Sequence, residues 1–341
     1  NGKINQNNKK TREGAIEFKP YVKSRPRIEF LDEDFSNNKT LRQVLIENLK
    51  DEEKDVTNIF VLSSGEVKVS ALGKGSKYVD VNISVEQRMR IIFAIAAMSG
   101  IEINQKELPK LEGVIPLYNA RFTAILPPWV QRPEFTIRRL PEQIYSLESY
   151  VESERMSKEQ YEQICEAIKK RQNIIIGGST GSGKTTFLNA VLKKMAEYTP
   201  EERFLIIEDT PELSCPYAKD VTYACGKSSE VIEIVRLAMR WSMERIIFGE
   251  LRYGDVANEL IKIWATGHTG NATTIHAGSA IEVFTRLNGL LREVILGELP
   301  QLSLSIQLCV HLIKGESGPK VNEVLDTSSS GIDEYTKLLK P

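Results

Sequence analysis

A glycine-rich segment in the second half of the chain has the residue types and spacing of a phosphate-binding loop. Residues 178–185 match the pattern G-x-x-x-x-G-K-S/T. The glycines let successive backbone N–H groups turn toward one point, where they and the positive end of the next helix can hold phosphates. Lys184 is predicted to reach the β and γ phosphates of a nucleotide, and the Thr185 hydroxyl is predicted to ligate Mg²⁺. The predicted nucleotide-binding residues are Gly178, Ser179, Thr180, Gly181, Ser182, Gly183, Lys184, Thr185 and Thr186.

Acidic residues follow two predicted strands further along the chain. Glu208 comes directly after the apolar run 204–207, and Glu250 follows the run 245–248 with Gly249 between them. The ligand of a parallel sheet lies beyond the carboxyl ends of its strands, so both carboxylates can face the phosphates. Phosphoryl transfer needs an acid that holds the metal and a group that orients the attacking water. Glu208 and Glu250 are the candidates for both roles, either one holding Mg²⁺ through water, and the two roles stay undivided between them.

Two of the three histidines fall within nine residues. His268 has Gly267 and Gly270 beside it, and His276 follows the strand-like run 272–275, so the two do not share one helix face. No further ligands stand at a spacing that suits zinc. A neutral imidazole donates at one nitrogen and accepts at the other, so both histidines are predicted to sense the γ-phosphate or to order water. A purely structural role is the alternative, and it is the one expected for His311, which lies in an apolar run.

These residues need a parallel α/β sheet to bring them together. Strands predicted at 173–176, 204–207, 246–248, 272–275 and 308–313 alternate with helices, one of which opens at a capping box formed by Ser157 and Gln160. Ahead of them, a hairpin, a helix over 85–98 and three further strands predict a small α+β module. The expected organisation is a flexible polar tail at 1–30, an N-terminal α+β domain at 31–138, a linker at 139–153 and an α/β ATPase domain at 154–341.

Composition excludes several classes of protein. The 341 residues allow two domains, and the 45 Lys plus Arg against 46 Asp plus Glu leave a net charge of −1. That balance argues against a surface devoted to nucleic acid or anionic lipid, so no sequence-specific nucleic-acid binding is expected. The 4 cysteines form no C-x-x-C pair, and no apolar run approaches the roughly 18 residues of a membrane span. Because the cysteines suggest neither a zinc ribbon nor a disulfide framework, a reducing, cytosolic compartment is expected. Residues 1–10 lack the apolar segment of a signal peptide.

The order of these motifs resembles that of the secretion traffic ATPases. The phosphate loop, residues 206–213, residues 245–252 and residues 266–277 follow one another as in that superfamily. Within it, the chain is most similar to the TrbB family of conjugative transfer ATPases, in the type IV secretion branch, from about residue 44 to about residue 325. It departs from the family at 242–244, where Ser-Met-Glu stands in place of the frequent Arg-Pro-Asp, and at Tyr253-Gly254.

The resemblance implies roles for individual residues. It places Glu208 in the "Asp box", makes Glu250 the Walker B glutamate, and assigns His268 and His276 to the "His box". The resemblance also assigns roles to four arginines, in two pairs. The first pair, in the first domain, would reach the γ-phosphate when the two domains close. The second pair would contact nucleotide or a neighbouring subunit. The first pair is Arg121 and Arg138, and the second is Arg240 and Arg252.

The resemblance also implies a cellular setting. The C-terminal domain is expected to be RecA-like and to use ATP and Mg²⁺, in a homo-hexameric ring with the nucleotide at the domain and subunit junction. Expected partners are inner-membrane components of a type IV secretion or conjugation system, with peripheral attachment at the inner face of the bacterial cytoplasmic membrane. ATP hydrolysis would power conjugative DNA transfer, protein secretion or pilus biogenesis.

Two other functions are compatible with the same motifs. One is a DNA translocase or helicase, which would need a basic, aromatic-lined channel for single strands, whereas Trp129, Trp241 and Trp264 are scattered along the chain. The other is an assembly switch that binds ATP with little turnover.

Overall fold

The computed structural model describes residues 56–71, 75–115, 120–139, 144–226, 228–315, 318–327 and 331–332. The tail predicted at 1–30 lies outside the described residues. In the described part the chain forms two sheets, one of six strands and one of seven.

The first sheet is antiparallel, with strand order β3-β2-β1-β6-β5-β4. Its strands are β1 (Val56–Val61), β2 (Glu66–Ala71), β3 (Gly75–Asn82), β4 (Lys110–Ile115), β5 (Ala120–Ile125) and β6 (Glu134–Arg139). One helix, α1 (Val85–Ser99), starts at a capping box formed by Ser84 and Gln87 and stops at Gly100, whose φ is 64°. The apolar side of α1 packs on one face of the sheet, so the other face of β5 and β6 is left open to the rest of the molecule.

The second sheet has the order β13-β12-β7-β11-β10-β8-β9, and β13 is the antiparallel member at one edge. Its strands are β7 (Ile174–Gly178), β8 (Arg203–Glu208), β9 (Asp220–Cys225), β10 (Arg245–Leu251), β11 (Ala272–His276), β12 (Leu308–Gly315) and β13 (Gly318–Asp326). The helices are α2 (Leu147–Glu152), α3 (Lys158–Lys169), α4 (Lys184–Tyr198), α5 (Ser228–Ala238), α6 (Gly254–Ala265), α7 (Ala280–Arg292) and α8 (Leu302–Ser305).

Both faces of this sheet are covered by helices. Residues of α5, α6 and α7 form one apolar core with alternate strand residues, and residues of α2, α3 and α4 form the other. Parallel strands buried on both faces require crossover helices on both sides. We call the side of the sheet where the parallel strands end its carboxyl edge, and the side where they begin its amino edge.

Several elements differ from the expectation drawn from sequence. The edge strands β3, β9 and β13 are not identified from sequence, because most of their side chains remain partly or fully exposed and form no continuous apolar run. The segment assigned to a linker, 139–153, begins with the last residue of β6 and contains the helix α2. Leu147 and Tyr150 of α2 are buried in the core beside α4, so this helix packs as part of the C-terminal domain.

Candidate nucleotide site

The phosphate loop connects the fully buried strand β7 to helix α4 at the carboxyl edge. Gly181 and Gly183 have φ of 75° and 86°, a left-handed conformation that side-chain-bearing residues adopt at a cost. A Cβ at Gly183 would also overlap Pro319, which packs directly against the loop from β13. Both positions therefore need glycine, and the N-cap residue Gly183 has no side chain to cap the N-terminus of α4.

Lys184 lies inside the loop. Its Nζ donates to the carbonyl oxygens of Gly178 at 3.0 Å and of Ser179 at 3.1 Å. Burial lowers the pKa of Lys184, while the Glu250 carboxylate opposes that change. Among the described residues the buried Ser182 hydroxyl oxygen has no hydrogen-bond partner. An ammonium group held by loop carbonyls and an unsatisfied hydroxyl match what phosphate oxygens need, so the loop fits a nucleotide.

Glu208 lies at the end of β8 and is almost fully buried. Its Oε1 accepts hydrogen bonds of 3.0 Å from the backbone N–H groups of Glu212 and Leu213. Burial raises the pKa of Glu208 to about 7. In this structure the Glu208 carboxylate therefore holds the turn that follows β8, rather than standing free beside the phosphate loop.

That turn carries Glu212, a site residue absent from the sequence-based set. Its Oε2 accepts from the Thr185 hydroxyl at 3.3 Å, and its Oε1 lies 3.5 Å from the Arg121 guanidinium. Glu212 thus joins the residue predicted to ligate Mg²⁺ to an arginine of the N-terminal sheet. The available sequence signal was its position four residues after the strand-end acid, within the same acidic segment.

Glu250 and His276 form a second polar cluster at the carboxyl edge. His276 Nδ1 lies 3.1 Å from Lys184 Nζ, and His276 Nε2 lies 2.6 Å from Glu250 Oε1. Since the lysine is a donor only, Nδ1 accepts and the ring proton is assigned to Nε2. The Nε2–Oε1 contact is close but is not an aligned hydrogen bond, because Glu250 Oε1 has no hydrogen-bond partner among the described residues. Burial lowers the pKa of His276. Arg252 donates to Glu250 Oε2 at 2.7 Å and to Asp209 Oδ2 at 2.6 Å, which completes a continuous chain of polar contacts.

The oxygen atoms at this edge suit Mg²⁺. The ion prefers hydroxyl, carboxylate and phosphate oxygens, and it usually keeps few protein ligands when phosphates are present. Within the described ranges no group of three His, Cys, Asp or Glu side chains is placed to hold a metal ion. Thr185, together with the phosphates of a nucleotide, is therefore the expected binding set, with the nearby glutamates acting through water.

Arg121 and Arg138 lie directly opposite each other on β5 and β6. Their neighbours Phe122 and Ile137 point into the core under α1, so both arginines lie on the open face of the sheet. Two like charges paired across strands are unfavourable by themselves. The pair therefore favours an anion between the two domains, and Arg121 already reaches Glu212 there.

Two predicted site residues lie away from the phosphate loop. His268 precedes β11 at the amino edge, where its carbonyl oxygen accepts from Asn271 Nδ2 at 2.7 Å. The strand β11, about 16 Å long, separates it from His276. Arg240 is exposed in the turn that leads from α5 to β10, also at the amino edge. Within one chain the structure thus brings His276 and Arg252 to the site, but neither His268 nor Arg240.

Comparison with known proteins settles the family. The family model described as "Type II/IV secretion system protein" matches residues 43–326. This chain belongs to the type II/IV secretion system protein family. The recognition made from the motif order is confirmed.

Individual relatives of this type II/IV secretion protein support the same family assignment. It is 32% identical over 277 residues to the conjugal transfer protein TrbB of Rhizobium radiobacter, covering 79% of this chain and 83% of the relative. It is 29% identical over 252 residues to the type IV secretion system protein VirB11 of Bartonella quintana, covering 62% and 69%. The crystal structure of the pilus retraction motor PilT with bound ADP matches at a TM-score of 0.60 and 16% identity, covering 87% of each chain. That likeness confirms the RecA-like α/β fold.

Proposed function

We propose that this chain is an ATP hydrolase that powers conjugative DNA transfer, protein secretion or pilus biogenesis in a bacterial type IV secretion system. The observation that carries the proposal is the chain of contacts from Lys184 through His276 to Glu250, which links the phosphate loop to a carboxylate at the same sheet edge. Membership of the type II/IV secretion family and the likeness to TrbB and VirB11 support the transport role.

Each residue of the site has a task in hydrolysis. Lys184 and the loop N–H groups bind the β and γ phosphates, and Thr185 holds Mg²⁺, which when bound neutralises charge on the phosphate oxygens. Glu250 orients the attacking water, and His276 lies between that carboxylate and Lys184. Arg121 and Arg138 stabilise negative charge that develops on the γ-phosphate.

The two strand-end glutamates divide their work. Glu250 contacts His276, which in turn contacts Lys184 of the phosphate loop, whereas the Glu208 carboxylate accepts hydrogen bonds from the backbone of the turn that carries Glu212. We assign the water-orienting role to Glu250 and a positioning role to Glu208.

The assembly we propose is a homo-hexameric ring, with nucleotide at the junction of domains and subunits. The N-terminal α+β domain closes over the C-terminal domain during hydrolysis. Since His268 and Arg240 lie at the amino edge, their proposed role is contact with another subunit. Partners are inner-membrane secretion or conjugation components, with the ring peripheral at the inner face of the membrane. Across the described residues, no helix has the length and apolar character to cross a bilayer.

Turnover of ATP by the purified protein tests the function. Lys184→Ala is expected to abolish ATP binding, while Glu250→Gln is expected to keep ATP binding and to lower kcat by about 100-fold, since it removes the group that orients water. Equal turnover by the wild type and Glu250→Gln would refute the mechanism. A wild-type protein that binds ATP without turnover would instead be an assembly switch.

The DNA translocase alternative has its own test. Trp264 is buried in the core, while Trp129 belongs to the N-terminal domain, so these aromatic side chains do not line one channel. We expect ATP turnover to be unchanged by single-stranded DNA. Strong stimulation by single-stranded DNA that persists without lipid or secretion partners would favour a translocase.

A further inference from the structure

The position of the catalytic groups determines which way a bound nucleotide points. In the second sheet, β7 has β11, β10 and β8 on one side and β12 and β13 on the other. Glu250, His276 and Glu208 all come from the first side. The γ-phosphate must lie there, so the ribose and base of the elongated nucleotide extend toward β12 and β13.

The β13 side of the phosphate loop is closed by a small set of contacts. Pro319 packs so closely against Gly183 that a Cβ at Gly183 would overlap the proline ring. The neighbouring Gly318 lies beside Arg155, whose NH1 would be 3.3 Å from a Cβ at that position. The backbone N–H of Val321 donates to the Arg155 carbonyl oxygen at 2.8 Å. Arg155, in the turn between α2 and α3, is therefore next to the end of the loop where a base would emerge.

The Arg155 guanidinium lies over the rings of two tyrosines. Its Cζ lies 4.4 Å from the ring centroid of Tyr150 and 5.4 Å from that of Tyr145. Its Nε donates to Ser153 Oγ at 2.7 Å, and Tyr150 packs edge-on against Phe187 of α4 at 5.2 Å. The guanidinium thus lies over a tyrosine ring that packs on the helix following the phosphate loop.

Arg155 and Tyr145 are exposed enough to contact a ligand. Both are only partly buried, whereas Tyr150 is fully buried. In the part of the chain that the structure describes, no carboxylate forms an ion pair with Arg155. A planar cation and an aromatic ring, each with a solvent-facing surface, bind the flat, electron-rich ring of a nucleobase by stacking.

We propose that Tyr145 and Arg155 form a stacking platform for the base of the bound nucleoside triphosphate, with Pro319 bordering the ribose. This inference rests on the proposed function, because it assumes that the phosphate loop binds a nucleotide. Stacking acts on the face of the base and reads no hydrogen-bonding edge, so the platform accepts more than one nucleobase.

Calorimetric titration with ATP and with inorganic tripolyphosphate, each with Mg²⁺, separates base binding from phosphate binding. Tyr145→Ala and Arg155→Ala are each expected to raise the Kd for ATP roughly 10-fold. The Kd for tripolyphosphate is expected to stay unchanged, because that ligand has no base. Lys184→Ala is expected to weaken both ligands.

Two further variants control for indirect effects. Lys193→Ala removes a matched cation, which lies 4.8 Å over the Tyr217 ring, and is expected to leave both affinities unchanged. Tyr145→Phe keeps the ring and is expected to bind ATP as the wild type does. If Arg155→Ala does not fold, comparing Tyr145→Ala with Tyr145→Phe still tests the stacking platform.

The proposed stacking role is refuted if Tyr145→Ala leaves the Kd for ATP unchanged, or if it raises the Kd for ATP and for tripolyphosphate equally. A wild-type protein that binds neither ligand would refute the proposed function itself. These two failures are distinguishable in the same set of titrations.

Discussion

Arg245 supports the amino edge of the C-terminal sheet, and its replacement by methionine is predicted to destabilise the fold without touching the nucleotide site. Its side chain is fully buried at the start of β10 and forms an ion pair with Glu202. It also donates to the Gly270 carbonyl oxygen at 2.8 Å and to the Thr199 hydroxyl at 3.1 Å. Burial lowers the pKa of Arg245 to about 10, so the group is still charged near pH 7.

The expected loss follows from what Arg245→Met leaves behind. Removing one partner of a buried ion pair costs roughly 3–5 kcal/mol, and a buried carbonyl without a donor costs about 1–3 kcal/mol. Glu202 keeps its second ion pair, with Arg171, so its charge is not left alone. We therefore expect Arg245→Met to lower the free energy of unfolding by about 3–4 kcal/mol. Arg171→Met, at a side chain that is 34% exposed, is expected to cost about 1 kcal/mol.

Urea denaturation followed by circular dichroism measures both variants, with ATP affinity measured in parallel. A double variant, Arg245→Met with Glu202→Gln, is expected to recover none of the loss, because Glu202 is still paired with Arg171 in the single variant and its replacement removes that ion pair as well. A loss for Arg245→Met no larger than that for Arg171→Met would contradict the structural role of the buried Arg245. That role is also contradicted if Arg245→Met weakens ATP binding in a protein that remains folded, since the pair lies at the edge opposite the phosphate loop.

Three further outcomes test other parts of the structure. Glu212→Gln is expected to lower kcat about 10-fold with little change in ATP affinity, because it weakens the charged contacts that couple the two domains. Steady-state kinetics and calorimetry measure these two quantities. A loss of ATP affinity without a change in kcat would contradict this prediction. Gly183→Ala is expected to reduce ATP affinity at least about 10-fold, since φ is 86° and the new Cβ would overlap Pro319; a titration that matched the wild type would disprove this steric argument. Burial alone would raise the pKa of Glu148, but its hydrogen bond with Lys194 helps lower it to about 2, so the ionised form stabilises the fold. That stability is present above pH 4.5 and is lost as the pH falls toward 2; Glu148→Gln should flatten thermal stability over this range, and an unchanged pH profile would exclude the ion pair as its cause.

The phosphate loop and the strand-end acids were accessible from sequence because their signals are local. Glycines at fixed offsets, an apolar strand before them and a helical pattern after them lie within one short segment. The capping box at Ser157 and Gln160 has an equally local signal and is present in the structure. Edge strands such as β9 carry no such signal, because a half-exposed strand needs no apolar run.

The positions of the two histidines depend on more than their local pattern. In sequence His268 and His276 form one motif, but the strand between them carries their side chains to opposite edges of the sheet. Glu208 and Glu212 show the reverse case. Only the fold of the turn after β8 shows that the buried Glu208 holds the backbone while Glu212 presents its carboxylate to Thr185 and Arg121.

By itself, the sequence determined the phosphate loop, the α/β class and the family resemblance, because each depends on residues close together in the chain or on the order of motifs. Tertiary structure alone decided which carboxylates lie beside the phosphate loop, which histidine reaches Lys184, and how Arg121 meets Glu212. Those outcomes depend on strand order, on burial and on contacts between distant segments. A pattern along the chain does not encode these distances, since each arises only when the sheet and its helices pack together.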